Sequence, residues 1–126
     1  MKFDSQITFL YVKDLDRTSE FYEKIIGLEP ALDQGNCRIY KSCSDSFIGF
    51  CRKDSPDINE VNKNGVIITF VTENADEYFA DLKNKNVEFT KELSYNKEYK
   101  IYNCFIKDPD GYLIEIQRFE DQRWYK

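Results

Sequence analysis

The sequence of 126 residues contains no histidine, and this absence excludes several classes of catalytic and metal site. Neither a Ser-His-Asp triad nor a Cys-His nucleophile pair can be built without an imidazole. Imidazole ligands for zinc, nickel or iron are excluded as well. Any general base would have to be an Asp, Glu, Lys, Tyr or Cys side chain.

The sequence also lacks long apolar runs and clusters of basic residues. Its uninterrupted apolar runs are short, such as Val66-Ile67-Ile68, whereas a membrane span needs about 20 residues. The net charge is −5 without a stripe of Lys and Arg, so no nucleic-acid partner is expected. The chain turns polar directly after Met1, which argues against a signal peptide and predicts a cytoplasmic protein.

Cysteine is present four times, as Cys37, Cys43, Cys51 and Cys104, but never as a C-x-x-C pair. Zinc-finger spacings are excluded because histidine is absent. We predict that all four are small apolar side chains within strands, reduced in the cytosol, with no metal or redox role.

Apolar residues make up 41% of the chain and charged residues 33%, which is typical of a globular protein large enough to bury its own core. The chain is predicted to be a single domain, residues 1–126. Within it we expect module one at about 1–53, a polar linker at about 54–65, module two at about 66–119 and a tail at 120–126.

The two modules show the same order of predicted elements. Module one has a strand at 5–12, a helix capped by Asp14 and ended by Gly27, and strands at 28–33, 36–42 and 46–52. Module two has a strand at 66–72, a helix after Asn74, and strands at 87–89, 101–107 and 112–119. A shift of sixty residues aligns the first strands, and a shift of sixty-six aligns the last ones. This repeated order indicates two copies of one structural unit.

Local patterns in module two predict how its helix and its last hairpin are built. Asn74 followed by Glu77 predicts a capping box. One buried helical face is predicted from the spacing of Ala75, Tyr78, Phe79 and Leu82. The segment Asp108-Pro109-Asp110-Gly111 predicts a tight turn between the last two strands.

Three segments resemble the vicinal-oxygen-chelate superfamily of glyoxalases, bleomycin-resistance proteins and dioxygenases. They are residues 9–28, with an acidic turn and an "FY…LG" helix, residues 74–82, and residues 107–115, with a "DPDG…IE" hairpin. The resemblance implies an α+β fold, in which two β-α-β-β-β modules form a curved mixed sheet around a cavity. It also implies a homodimer.

Metal-dependent members of that superfamily bind a divalent ion at four strand positions, which fall here on Ile7, Gly49, Ile67 and Glu115. Only Glu115 is a possible ligand, unless a one-residue bulge turns Gln6 inward. One carboxylate cannot hold a first-row metal well. No cofactor is therefore expected, and a divalent metal is the disfavoured alternative.

Further residues are candidates for the cavity wall because strand alternation places them on the same face as those four positions. They are Phe9, Tyr11, Phe47, Cys51, Leu113 and Gln117. Simple hairpins would add Cys104 opposite Glu115, Arg38 opposite Gly49 and Tyr40 opposite Phe47. The aromatic residues either contact a ligand or fill the hydrophobic core. Arg38 either binds an anionic group or is a surface residue. Glu115 either orients a ligand or is a remnant of the superfamily's metal site, hydrogen-bonded in the cavity or solvated.

Three functions are consistent with this sequence. The first is a metal-independent protein that sequesters a drug or metabolite, as implied by the resemblance and the missing ligands. The second is a lyase, isomerase or dioxygenase of the same superfamily with altered metal ligands. The third is a structural or regulatory domain without a small-molecule ligand.

Overall fold

The computed structural model describes residues 2–52 and 65–125. The chain divides into two compact units, Met1–Val61 and Asn62–Lys126, and each contains a four-stranded mixed sheet. The predicted linker, apart from Gly65, lies outside the described residues. Within the described part of the chain, no helix has the length and apolar character needed to cross a membrane.

The first unit follows the predicted order. Its elements are β1 (Gln6–Val12), α1 (Leu15–Glu20), a π-helical segment (Phe21–Ile26), β2 (Glu29–Asp33), β3 (Cys37–Cys43) and β4 (Ser46–Arg52). The strand order is β1-β4-β3-β2, with β1 and β4 parallel. Parallel pairing is possible because the helix crosses over between the first strand and the rest.

The helix of the first unit begins and ends at the predicted residues, but its second half differs. Asp14 caps α1 by accepting hydrogen bonds from the backbone N–H groups of Asp16 and Arg17. The last turns are π-helical: the Gly27 N–H bonds to the Tyr22 carbonyl, five residues back. Gly27 then ends the helix in the left-handed region, at φ +90°.

The second unit repeats this arrangement. Its elements are β5 (Ile67–Val71), α2 (Ala75–Asn84), β6 (Phe89–Asn96), β7 (Ile101–Lys107), β8 (Leu113–Phe119) and a 3₁₀ turn (Gln122–Tyr125). The strand order is β5-β8-β7-β6, with β5 and β8 parallel. The α+β class with two β-α-β-β-β modules is thereby confirmed.

Several local predictions for the second unit are wrong. Asn74 makes no side-chain cap, and instead its own N–H bonds to the Thr72 hydroxyl. The α2 helix buries Ala75 and Leu82, but Tyr78 is exposed. Strand β6 also begins at Phe89 and runs to Asn96, well beyond the predicted 87–89. Because β6 is an edge strand with alternating half-buried and exposed residues, its polar sequence carries little apolar signal.

The turn between β7 and β8 forms at the predicted residues but is one residue longer than expected. The Asp108 carboxylate accepts from the N–H groups of Asp110 and Tyr112. Gly111 occupies the left-handed region, at φ +90°. Since β8 begins only at Leu113, the buried Tyr112 belongs to the turn.

Candidate functional site

In the first unit, alternation along the strands separates one face that contacts the helix from the opposite face. Phe50 packs against Tyr22 of the π-helical segment, and β3 places Arg38 beside Phe50. Their immediate neighbours, Gly49 in β4 and Ile39 in β3, therefore point away from the helix. We call the sheet face opposite the helix the open face, in both units.

Arg38 and Tyr40 lie on the helix face, so their predicted positions opposite Gly49 and Phe47 are wrong. Ile39 pairs with Gly49, and Lys41 pairs with Phe47. A bulge between Lys41 and Cys43 shifts the register by one residue, which exchanges the two faces.

Both side chains are engaged by the helix. The Arg38 guanidinium donates to the Leu15 carbonyl, the Ser19 hydroxyl and the Asp16 carboxylate. The buried Tyr40 hydroxyl donates to Glu23, and burial raises the Tyr40 pKa above its ordinary value. Arg38 thus holds the helix on the sheet, and an anion clamp on the open face is not possible from this position.

The centre of the open face of the first unit is apolar. The Phe9 ring lies on Gly49, which is its partner in the parallel register. A Cβ at position 49 would come within 2.5 Å of two Phe9 ring carbons, so the glycine is required for this close approach. The neighbouring pairs in the same register are Ile7 with Phe47 and Tyr11 with Cys51.

Cys51 forms a disulfide with Cys37, its direct partner on β3. The prediction that all four cysteines are reduced is therefore wrong for this pair. Two cysteines that face each other across antiparallel strands lie close enough to be joined. Cys43 and Cys104 are free thiols, the first exposed and the second buried.

The centre of the open face of the second unit is polar. Glu115 is 7% exposed, and its carboxylate accepts three side-chain hydrogen bonds. Oε1 accepts from the Thr69 hydroxyl at 2.8 Å, and Oε2 accepts from Asn103 Nδ2 at 2.8 Å and from Gln117 Nε2 at 2.9 Å. Strand register builds this arrangement, because Thr69 is the β5 partner of Glu115, and Asn103 is the β7 partner of Gln117.

Lys91 extends this cluster on the edge strand β6. Its ammonium donates to the backbone carbonyl and to the side-chain Oδ1 of Asn103. Since Asn103 also donates to Glu115, a single amide links a cation to a buried carboxylate. The polar cluster therefore consists of Glu115, Thr69, Asn103, Gln117 and Lys91.

Of the remaining predicted residues of the second unit, Leu113 lies on the open face and Cys104 does not. Cys104 pairs with Ile116, whereas Glu115 pairs with Phe105, so the predicted position of Cys104 opposite Glu115 is wrong. The five-residue turn shifts the register by one residue. Burial raises the pKa of the Cys104 thiol to about 11, which keeps it protonated at neutral pH.

Sequence reasoning missed Thr69, Asn103 and Lys91 as members of this cluster. The position of Thr69 could have been predicted from the sequence, because the sixty-residue shift aligns Thr69 with Phe9, and strand alternation places it on the same face as Ile67. Asn103 could be placed in the cluster only once the pairing of β7 with β8 was known. Lys91 lies on β6, a strand that the apolar pattern of the sequence did not predict at this position.

The four positions that would bind a divalent ion in metal-dependent relatives do not form a ligand set in this chain. Ile7, Gly49 and Ile67 provide no donor atom, and the Glu115 oxygens already accept three hydrogen bonds. Gln6 pairs with Ser46 in a continuous β1 register, so the bulge that would turn it inward is not formed. Among the described residues, no group of three or more Cys, Asp or Glu side chains could hold a metal ion.

Comparison with known proteins agrees with this fold. A model of the Glyoxalase/Bleomycin resistance protein/Dioxygenase superfamily matches residues 5–116, and the chain belongs to this superfamily.

Two curated relatives and one solved structure show how far the similarity extends. The chain is 27% identical over 125 residues to a lactoylglutathione lyase of Escherichia coli O157:H7, covering 90% of this chain and 91% of the relative. It is 28% identical over 120 residues to a probable lactoylglutathione lyase of Vibrio cholerae, covering 86% of both. An integron cassette protein from the V. cholerae mobile metagenome has the same fold, with a TM-score of 0.75 and 20% identity over 95% of this chain and 98% of that one.

Proposed function

We propose that this protein binds and sequesters a small molecule, a drug or a metabolite, without a metal ion. The observation that carries the proposal is the hydrogen bonding of the Glu115 carboxylate. Its two oxygens already accept hydrogen bonds from three neutral side chains, while the other three ligand positions are Ile7, Gly49 and Ile67. First-row metals in proteins need three or four ligands.

The open faces provide surface on which an organic ligand can be held. Phe9, in the interior of β1, is 44% exposed, and Ile67, the first residue of β5, is 53% exposed. Exposed apolar side chains close to a few oriented polar groups are typical of ligand sites. We further propose a homodimer, which light scattering at several protein concentrations would test. The cytoplasmic location proposed from the sequence would be tested by cell fractionation, and the Cys37–Cys51 disulfide argues against it.

The first test is the metal content of the purified protein, combined with thermal melts with and without Ni²⁺, Zn²⁺, Mn²⁺ and Fe²⁺. We expect no bound metal and no shift of Tm with any of the four ions. Stoichiometric metal, or a shift that Glu115→Ala abolishes, would contradict the proposal. A panel of amphipathic and cationic antibiotics is then screened by thermal shift, and at least one compound should raise Tm.

An enzyme of the same superfamily is the second candidate, because the curated relatives that are similar over most of this chain are named lactoylglutathione lyases. This candidate requires a divalent ion that Glu115 and altered ligands would hold. Assays of lactoylglutathione lyase and dioxygenase activity after loading with nickel or iron test it. Activity lost in Glu115→Ala would favour the enzyme, and an inactive, metal-free protein would exclude it.

A further inference from the structure

The carboxylate of Glu115 fixes the direction of every hydrogen bond around it. An ionised carboxylate only accepts, so Thr69 must point its hydroxyl hydrogen, and Gln117 its amide N–H, towards Glu115. The Asn103 amide is oriented at both ends, because Oδ1 accepts from Lys91, which can only donate. None of the three side chains can be reversed without losing a bond.

The outward ends of Thr69 and Gln117 are therefore hydrogen-bond acceptors. Thr69 keeps its oxygen lone pairs, and Gln117 keeps the carbonyl Oε1 at the other end of its amide. Within residues 2–52 and 65–125, no donor reaches either acceptor. Thr69 is exposed, and Gln117 Oε1 is not among the buried unpaired atoms of the described residues, so both acceptors are accessible.

Apolar side chains flank these two acceptors on β5. Ile67 and Val71 are 53% and 45% exposed, and they lie on either side of Thr69 on the same face. Val71 is also the direct strand partner of Gln117. A ligand that reaches the acceptors with its polar end would cover these side chains with an apolar ring or chain.

The charge of the cluster is balanced, which decides what kind of polar end fits. Lys91 lies on the far side of Asn103 from Glu115, so one cation already accompanies the one carboxylate. A neutral N–H donor can therefore bind without leaving an unpaired charge. A carboxylate would meet two acceptors at Thr69 and Gln117, and its desolvation would not be offset by either of them.

From this arrangement we infer that Thr69 and Gln117 form a subsite for a neutral ligand group with N–H donors, such as a primary amide, carried on an apolar ring. The inference rests on the proposed binding function and specifies the ligand class. The two acceptors bind the donors, Glu115 holds the acceptors in place, and Ile67 and Val71 contact the ring.

Three compounds with one ring and different polar groups test the subsite: benzamide, benzamidine and benzoate. Each is titrated into the ¹⁵N-labelled full-length protein, and the backbone amide shifts of Ile67, Thr69, Val71 and Gln117 are followed. We expect saturable shifts with benzamide, weaker shifts with benzamidine because it adds an unpaired positive charge, and none with benzoate at the same concentration. Benzamidine alone would show that charge is required, and would overturn the balanced-charge argument.

Thr69→Val removes one acceptor at nearly constant volume. The loss of one neutral hydrogen bond should weaken benzamide binding roughly fivefold. Thr8→Val is the matched control, because Thr8 is an exposed threonine on the first strand of the other unit, and it should bind benzamide like the wild type.

Glu115→Gln tests the role of the carboxylate as the group that orients the others. Its new amide N–H₂ must face either Thr69, or Asn103 and Gln117, so at least one outward acceptor becomes a donor. The preference for benzamide over benzoate should therefore fall.

The subsite would be overturned by equal shifts with benzoate and benzamide, by no shift with any of the three, or by unchanged binding in Thr69→Val. Each of these results leaves the proposed binding function standing, since other compounds of the thermal-shift panel can still bind. That function fails separately, if no compound of the panel raises Tm.

Discussion

The same strand positions carry opposite chemistry in the two units. In the first unit Phe9 lies on Gly49, and in the second their counterparts Thr69 and Glu115 are joined by a hydrogen bond. The difference extends one pair further. The Cys37–Cys51 disulfide corresponds, sixty-six residues on, to Asn103 and Gln117, whose amides both donate to Glu115.

This comparison shows that the fold fixes where side chains meet but not what they do there. The parallel register is the same in both units, with Ile7 beside Phe47 and Ile67 beside Leu113. At the matched positions one unit has ring packing and a disulfide, and the other has a network of neutral donors around a carboxylate. Each unit can be altered towards the other to test which contacts stabilise it.

The largest effect is expected from Glu115→Ala. It leaves the donors of Asn103, Gln117 and Thr69 without their acceptor, and Asn103 is buried. The free energy of unfolding should fall by roughly 3 kcal/mol, measured by urea denaturation. Glu77→Ala, at an exposed position of α2, is the control and should change stability little. Equal losses in both variants would show that the network does not stabilise the second unit.

Gly49→Glu places the carboxylate of the second unit into the first, where the Phe9 ring occupies the space. We expect a loss of about 2 kcal/mol in urea denaturation, because the ring must move. Adding Phe9→Thr recreates the Thr-Glu pair of the second unit and should recover part of the loss. A double variant as unstable as the sum of both single variants would argue against direct contact.

A smaller difference is expected at the helix N-termini. Asp14 accepts two backbone N–H bonds, whereas the side chain of Asn74 accepts none at its helix. Asp14→Ala should lower the free energy of unfolding by about 1 kcal/mol, and Asn74→Ala should lower it by less. Thermal melts of the two variants side by side would check this order, and a larger effect at Asn74 would contradict it.

The last prediction concerns the reactivity of the four cysteines towards an alkylating reagent. In protein purified without reductant, iodoacetamide should label Cys43 rapidly and Cys104 only after unfolding, because the raised pKa of about 11 keeps the Cys104 thiol protonated and unreactive. Peptide mass mapping should find Cys37 and Cys51 joined. Rapid labelling of all four cysteines in the native protein would contradict both assignments.

Patterns along the chain were sufficient to predict the order of elements, the Asp14 cap, the Gly27 helix end and the placement of Glu115 on the last strand of the second unit. They failed where one residue decides which side of a strand faces the helix. The bulge near Lys41 and the inclusion of Tyr112 in a turn each shifted a register by one, which moved Arg38, Tyr40 and Cys104 to the other face. Such shifts depend on turn geometry that composition does not encode.

The parallel pairing of the first and last strands of each unit also has a consequence for the order of folding. Ile7 meets Phe47 and Ile67 meets Leu113, so this strand pair joins residues that are distant along the chain in each unit. Contacts of long sequence separation form slowly. During synthesis the first unit can complete its sheet only after β4 has left the ribosome, because β1, at one edge of that sheet, pairs with β4.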